Sequence, residues 1–428
     1  MGLNILIVGV GVAGPALASL LLRTRQGHNI TIIERARNLR VAGAQIDLKH
    51  QGVPIIQRMG LMDAVRKHAV GETGLEIVDS KDKVLMSMGV SPADGRGFTL
   101  TSEYEIMRGD LVRILYDDSI EQASRAAGDG SGGELEYRFD TTIADLSQDQ
   151  SKVNVKLSDD SEQEFDLVIA ADGQRSRTRS LAFGSQVSDA AFKPLGIHAA
   201  YWTMPRIESE GGLARMCVEP GRGLLTRTSN RPVTGANIFA TSHTQEIRES
   251  YSTPVGEQKQ AWLDLMKGSV WQGERLKEGL RRCDDFYAHE QGQVKMPTLF
   301  KGSVVLVGDA GYCPSPFTGL GTTLALGGAY TLVGELSKHG KDVNAALKAY
   351  ENAIRPLVAE CQQLTPGGPG VFFPATSIGV WVLQAVVRTM SMLQVDKLMN
   401  RWMTASGKEY SGWVAVEYPE LHLDAAQA

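Results

Sequence analysis

Cysteine is scarce and scattered. Cys217, Cys283, Cys313 and Cys361 lie far apart, and no C-x-x-C occurs. That spacing supports neither a redox dithiol nor a zinc knuckle, so no metal site is expected and the thiols read as core filler in a reducing compartment. Basic blocks and basic tails are also missing, and the net charge is −5. A nucleic-acid partner is therefore not expected. Long apolar runs are absent: the strongest, Ser377 to Val387, falls short of the ~20 residues a bilayer-spanning helix needs. The first apolar run starts near residue 3, which leaves no room for a signal peptide, and Leu6 stands where a myristoylation signal has Ser or Thr. A cytoplasmic location is the expectation. No internal repeat or low-complexity segment stands out.

What remains is an ordinary globular composition, 43% hydrophobic and 22% charged, in 428 residues. That length suggests two or three domains. The chain is organised around Leu3 to Arg35. The run Ile5-Leu6-Ile7-Val8, bounded at once by glycine, suits a strand buried on both faces of a parallel sheet. Gly9, Gly11 and Gly14 then form G-x-G-x-x-G, Ala16 to Leu22 is helix-forming, and a second run, Ile30 to Ile33, ends at Glu34. Strand, glycine turn, helix, strand and acid follow in the order a dinucleotide site requires. Gly9 permits the tight turn, Gly11 lets backbone approach a pyrophosphate, and Gly14 lets helix pack on strand. Val12 and Ala13 lie at the helix start, whose unpaired N–H groups and positive dipole end attract phosphate. An acid at Glu34 suits the unphosphorylated ribose of FAD or NAD.

Further along, Arg35 to Arg40 is basic and reads as solvated surface, a phosphate clamp or a docking face for a nicotinamide cofactor. A helix is expected over Pro54 to His68 and hairpin strands over Leu75 to Met88. Asp110 is expected to cap a helix, which puts Arg108 just before a helix start. Ala127 to Gly133 reads as a loop, Val153 to Leu157 as an alternating strand, and Phe165 to Ala171 as one buried strand. Four strand-like segments, Ile197–Met204, Ala214–Val218, Gly223–Arg227 and Gly235–Ala240, suggest a separate antiparallel sheet. Helices are expected over Ala261–Lys267, Arg275–Arg282 and Gly319–Leu336, and then to about Ala405 with a break at Pro366 to Pro374.

Two more motifs complete the pattern. Asp172-Gly173 ends a strand, with Ser176 and Arg179 at D-G-x-x-S-x-x-R spacing. Gly308-Asp309 ends another strand and is followed by Pro316-Phe317-Thr318-Gly319-Leu320-Gly321 at a helix start. Asp309 suits a ribityl hydroxyl, and the Gly319 to Gly321 turn offers backbone N–H groups to an electron-rich ring edge. With all three motifs in order, the chain resembles the class A FAD-dependent aromatic hydroxylases and monooxygenases of the p-hydroxybenzoate hydroxylase fold. GAQIDLKHQG (Gly43 to Gly52), EIMRGDL (Glu105 to Leu111) and the PFTGLG turn look like the tetracycline-inactivating branch.

The resemblance implies an α/β fold: a Rossmann-like FAD-binding domain (1–71, 101–182 and 290–345), a mainly antiparallel substrate sheet (72–100 and 183–289) and a C-terminal helical region (346–428). It implies FAD contacts from Glu34, Arg35, Asp47, Arg108 and Asp309, NADPH docking near Arg40, and a shared FAD and NADPH role for Asp172-Gly173. It also implies a cycle in which NADPH or NADH reduces FAD and O2 then supplies one oxygen atom to an organic, aromatic or polyketide-like substrate through a flavin C4a-hydroperoxide. Secondary metabolism is the expected setting. Pro316 and Phe317 are expected to line the reacting face, and His198, Tyr201 and Arg222 to be polar substrate contacts. Three positions depart from the family pattern: Tyr312 replaces a usual histidine, Thr323 an asparagine and Gly328 an aspartate. They point to a divergent, biosynthetic member. An FAD oxidase or reductase of the same fold, or a non-catalytic FAD-binding protein, are the other readings. Disulfide reductases and two-fingerprint Baeyer–Villiger enzymes need a second glycine fingerprint, and flavin halogenases a W-x-W-x-I-P, none of which is present.

Overall fold

The computed structural model describes residues 2–40, 43–90, 103–130, 133–149, 152–228, 231–364, 369–393 and 413–423. The chain opens β1 (Asn4–Val8), α1 (Ala13–Arg23), β2 (Asn29–Ile33), β3 (Gln45–Leu48), α2 (Gly52–Arg58), α3 (Met62–His68), β4 (Gly74–Val78) and β5 (Val84–Met88). It continues through β6 (Tyr104–Met107), α4 (Arg108–Asp129), β7 (Leu135–Arg138), β8 (Ile143–Gln148), β9 (Val153–Leu157), β10 (Glu162–Phe165) and β11 (Leu167–Ala170). Next come α5 (Arg177–Phe183), α6 (Ser185–Ala191), β12 (Phe192–Pro205), β13 (Leu213–Glu219), β14 (Arg222–Thr228) and β15 (Val233–Ala240). Then follow α7 (Thr244–Ser250), α8 (Val255–Leu265), α9 (Gly273–Arg282), β16 (Tyr287–Val294), β17 (Phe300–Lys301) and β18 (Val304–Leu306). The chain closes with α10 (Asp309–Tyr312), α11 (Gly321–His339), α12 (Val343–Cys361) and α13 (Ser377–Met392).

A six-stranded sheet ordered β17-β18-β11-β1-β2-β7 forms the first layer. Its inner strands run parallel, and β1 and β11 are buried on both faces, as continuous apolar runs require. Helices α1, α4 and α11 pack on it. The second sheet has seven strands in the order β16-β12-β15-β14-β13-β4-β5. It is antiparallel except where β13 meets β4 in parallel register. One face of it carries α7, α8 and α9 over a core of Trp202, Met204, Ile247, Trp262 and Trp271. The other face turns toward the β3–β6 ribbon and the loop after α10. Among the described residues no helix is long and apolar enough to cross a membrane.

Several elements differ from the sequence expectation. The single helix over 54–68 is two, α2 and α3, because Gly60 turns left-handed at φ 74°. Helix α4 starts at Arg108, with Met107 at its cap, so Asp110 lies inside the first turn and accepts from Arg231. The same helix absorbs much of the expected loop and stops at left-handed Gly130. The stretch 165–171 splits at Asp166, which accepts the Asn4 N–H at 2.7 Å, leaving Phe165 in one sheet and Leu167 in another. Strand β16 was not anticipated, since its sequence YAHEQGQV is polar; it crosses the expected domain boundary at 289–290. Residues 394–405 of the expected C-terminal helix lie outside the described residues.

Candidate active site

The glycine turn after β1 is built as its sequence suggests. Gly9 has φ +107°, and a Cβ there would sit 2.6 Å from the Ala171 carbonyl oxygen. A Cβ on Gly14 would lie 2.1 Å from the Gly9 oxygen, so the helix can close on the turn only with glycine at that place. No side chain caps the first turn of α1 at Val12, which leaves its N–H groups to a ligand. Above the turn, Arg108 Nη2 would be 3.4 Å from a Cβ on Gly11. Glu34, ending β2, accepts from the Val10 and Ala36 N–H groups at 3.0 Å each, and Arg40 donates to it at 3.3 Å. Arg35 is exposed beside it.

The second half of the cradle comes from the end of β18. Gly308 turns at φ +64° and places Asp309 at the start of α10. Asp309 is open to solvent, yet desolvation by the protein around it raises its carboxyl above the ordinary range, with Arg108 pulling the other way. A group both open and desolvated lies at the base of a cleft. Beyond it, Pro316 opens a single 3-10 turn ending at Gly319 (φ +63°), and Leu320 precedes α11 at Gly321 without a side-chain cap. A Cβ on Gly319 would come within 2.7 Å of Lys49 Nζ and 3.0 Å of Asp47 Oδ2, so Asp47 borders this turn.

The D-G loop braces the two halves. Ser176 caps α5, and Asp172 accepts from Thr178 N–H (3.1 Å) and Thr178 Oγ1 (2.9 Å) as well as from Ser176. The Asp172 carboxylate is thus turned into α5, while Gly173 (φ +85°) carries the backbone outward. Buried Arg179 donates to the Gln174 carbonyl at 3.0 Å and to the Ala310 carbonyl at 2.8 Å, tying the D-G loop to the G-D loop.

The four residues expected at the substrate divide between the two faces of the seven-stranded sheet. Alternation along β12 sends His198, Ala200 and Trp202 to one face and Tyr201 to the other. His198 is buried with its Nδ1 2.9 Å from the Tyr251 hydroxyl. Arg222 donates to Glu219 at 2.9 Å and to the Leu265 carbonyl at the end of α8, so it is spent on holding that helix. Neither reaches the face that holds Tyr201, contrary to the expectation. Tyr201 stacks on Tyr287 and His289 at 6.2 and 5.8 Å. Phe317 joins Phe239 at 5.6 Å and Phe373 at 6.3 Å in an aromatic wall on the same face. Phe373 lies so close to Gly223 that a Cβ there would be 2.3 Å from its ring.

Sequence reading passed over Phe239, Tyr287, His289 and Gln291; alternation on a strand recognised as such would have placed them. A narrow cavity of about 30 Å³ continues along this face between Gln45, Met107, Tyr201, Asn237 and Tyr287. A larger one, about 270 Å³, lies on the far side of α1 beside the Arg23–Asp118 ion pair and touches none of these groups.

At the edge of the inner face, Arg227 donates to Glu72 at 2.7 and 3.1 Å and meets Glu105 of β6. Burial raises the Glu105 carboxyl well above its usual range; Arg227 opposes this, and Glu72 and Asp47 add to it. The cluster therefore pairs Arg227 with two carboxylates and leaves no free cation there. The family departures also have a packing logic. Tyr312 reaches over Gly328, where a Cβ would be 1.9 Å from its hydroxyl, and pairs with the Tyr350 hydroxyl at 2.8 Å, which donates to the Leu306 carbonyl. A larger residue at 328 and tyrosine at 312 exclude each other.

Residues 3–365 match the family profile described as an FAD binding domain. The chain belongs to this family of flavin-dependent monooxygenases. It is 40% identical to the FAD-dependent monooxygenase asL6 of Sarocladium schorii, over 99% of this chain and 100% of that one. It is 32% identical to the flavin-dependent monooxygenase eupH of a Phoma species, over 98% of this chain and 97% of the relative. Among solved structures it resembles tetracycline destructase Tet(51), with a TM-score of 0.74, 25% identity and coverage of 94% of this chain and 98% of that chain.

The residues present fit FAD. The glycine turn at Gly9–Gly14 and the uncapped start of α1 suit the pyrophosphate, Glu34 the ribose, Asp309 the ribityl chain, and the Gly319–Gly321 turn the ring.

Proposed function

We propose that this protein is an NAD(P)H-dependent monooxygenase whose substrate is an uncharged, oxygen-bearing aromatic or polyketide-like molecule, within secondary metabolism. The observation that carries the reading is the arrangement of one cradle against one face. Arg108 lies between the Gly11 turn and Asp309, and the loop that follows Asp309 delivers Phe317 to the inner face of the seven-stranded sheet. Residues 1–71, 101–182 and 290–345 would hold FAD, the sheet segments the substrate, and the C-terminal helices their outer support. Gly9, Gly11, Val12, Ala13, Gly14, Glu34, Arg35, Asp47, Arg108, Gly173, Asp309, Pro316, Gly319, Leu320 and Gly321 would form the cofactor site, with Arg40 and the D-G loop serving the nicotinamide donor.

When bound, FAD accepts a hydride and uses O2 to oxygenate the substrate. The protein positions the partners and keeps water out. Phe239, Phe317 and Phe373 exclude water from the reacting face, and Tyr201, stacked in the inner layer, orients a flat substrate. The substrate is expected to be uncharged because Arg227, at the edge of this face, is already paired with Glu72 and Glu105. The test is anaerobic addition of NADPH, then NADH, to the purified flavoprotein, followed by O2 in the presence of candidate phenols. Consumption of O2 with oxygenated product supports the reading. Reduction followed by quantitative H2O2, with every candidate, would move the assignment to an oxidase.

A further inference from the structure

Strand β16 brings Tyr287, His289 and Gln291 to the inner face, opposite Tyr201. Their polar atoms are incompletely matched. Gln291 Nε2 lies 2.9 Å from His289 Nε2 and 3.4 Å from the Tyr201 hydroxyl. With the amide donating to Nε2, the neutral ring carries its proton on Nδ1. His289 Nδ1 and Gln291 Oε1 are both buried without a hydrogen-bond partner. One is a donor and the other an acceptor, and such groups are costly to leave unmet. The ring is stacked on Tyr201 at 5.8 Å and tilted against Tyr287 at 5.0 Å, the two tyrosines lying 6.2 Å apart. Tyr287 is 49% exposed and lies within the field of Arg108 and Asp309, which places the group beside the cofactor cleft.

We propose that His289 and Gln291 together recognise a hydroxyl of the substrate, a phenol or enol, His289 donating to its oxygen and Gln291 accepting its proton. The substrate is thereby held at the inner face by its hydroxyl. This specifies the substrate class of the function proposed above and rests on it. Burial, with Arg175 next in weight, lowers the His289 imidazole to about 4. The ring is neutral at ordinary pH and acts as a donor, not as an acid in equilibrium with water. Tyr201, joined to Gln291, keeps the amide in the required orientation.

The experiment titrates oxidised, FAD-loaded protein with resorcinol and with resorcinol dimethyl ether, following perturbation of the flavin absorbance. Wild type is expected to bind resorcinol about tenfold more tightly than the ether. His289→Phe keeps the stack and should bring that ratio to about one without weakening the ether. His289→Gln, which retains a donor, should restore part of the preference. Gln291→Leu provides a second route to the same loss if His289→Phe does not fold. A ratio unchanged in His289→Phe or in Gln291→Leu would overturn the proposal, as would a wild type that binds neither compound or binds both equally. Flavin content and bleaching by NADPH, read on the same samples, separate the two failures. Protein without flavin sinks the function and this inference together; loaded, reducible protein with an unaltered ratio sinks only the role of His289 and Gln291.

Discussion

The two faces of the seven-stranded sheet carry the same kinds of residue and use them differently. On the outer face, Arg222, Glu219 and His198 are bound to helices α7 and α8 or to the segment after α8. Apart from His198 Nε2, which is buried without a partner, their polar atoms are spent on architecture. On the inner face, Tyr201, His289 and Gln291 form a loose chain that leaves a donor and an acceptor open. Residue type does not distinguish a site from a support; what each polar group is already bonded to does. Outer-face changes should therefore cost stability and spare ligand binding, and inner-face changes should do the reverse.

The largest effect is expected at Arg222. Arg222→Ala breaks a buried pair with Glu219 and frees the Leu265 carbonyl. It should lower unfolding free energy by about 3 kcal/mol, measured by denaturant titration, with flavin content and resorcinol affinity unchanged. A loss of ligand affinity without a loss of stability would break the comparison. Next comes the junction of the two halves, where burial raises the Glu105 carboxyl above its usual range. Its proton is bound more tightly in the folded than in the unfolded chain. The resulting stability is complete below the ordinary carboxylate pKa and is lost as pH rises, by about 1.4 kcal/mol per unit. Glu105→Gln should remove that slope, read as a flatter stability profile above the ordinary carboxylate range; an unchanged slope would assign the pH dependence to another group.

Smaller effects sharpen the contrast. Tyr201→Phe should weaken resorcinol binding about threefold to tenfold, by loosening Gln291, with stability altered by less than about 1 kcal/mol. His198→Gln, three residues away on the opposite face, should cost about 1 kcal/mol of stability through the Tyr251 bond and leave binding alone. Reversal of these two results would exchange the roles of the faces.

The cofactor half was legible in the sequence because its requirements are local. Gly14 has no room for a Cβ because the Gly9 oxygen lies against it within the same βαβ unit, whereas the space at Gly9 is closed by distant Ala171 and only the glycine pattern marks it. The order of β1, α1 and β2 follows directly from apolar runs and breaks. The substrate half was less legible because its site is assembled from register. His198 and Tyr201 are three residues apart, and only the parity of β12, fixed by pairing with β15 and β16, decides which faces the cleft. Arg222 was expected at the substrate, yet it is bound to Glu219 three residues away and to the Leu265 carbonyl 43 residues away at the end of α8. Strand β16 hid because polar residues occupy its buried inner side, where they carry chemistry. The pair Tyr312 and Gly328, visible in the sequence only as two separate departures from the family pattern, is one packing exchange.

The central claim is that the cradle around Arg108 loads FAD and lets a nicotinamide donor reduce it beside the inner face. Its most direct measurement is the visible spectrum of the purified protein during anaerobic titration with NADPH, resorcinol present. The account predicts one FAD per chain and bleaching of its absorbance by stoichiometric reductant. Protein that neither carries nor takes up FAD, or whose bound FAD is reduced by neither NADPH nor NADH, would contradict it.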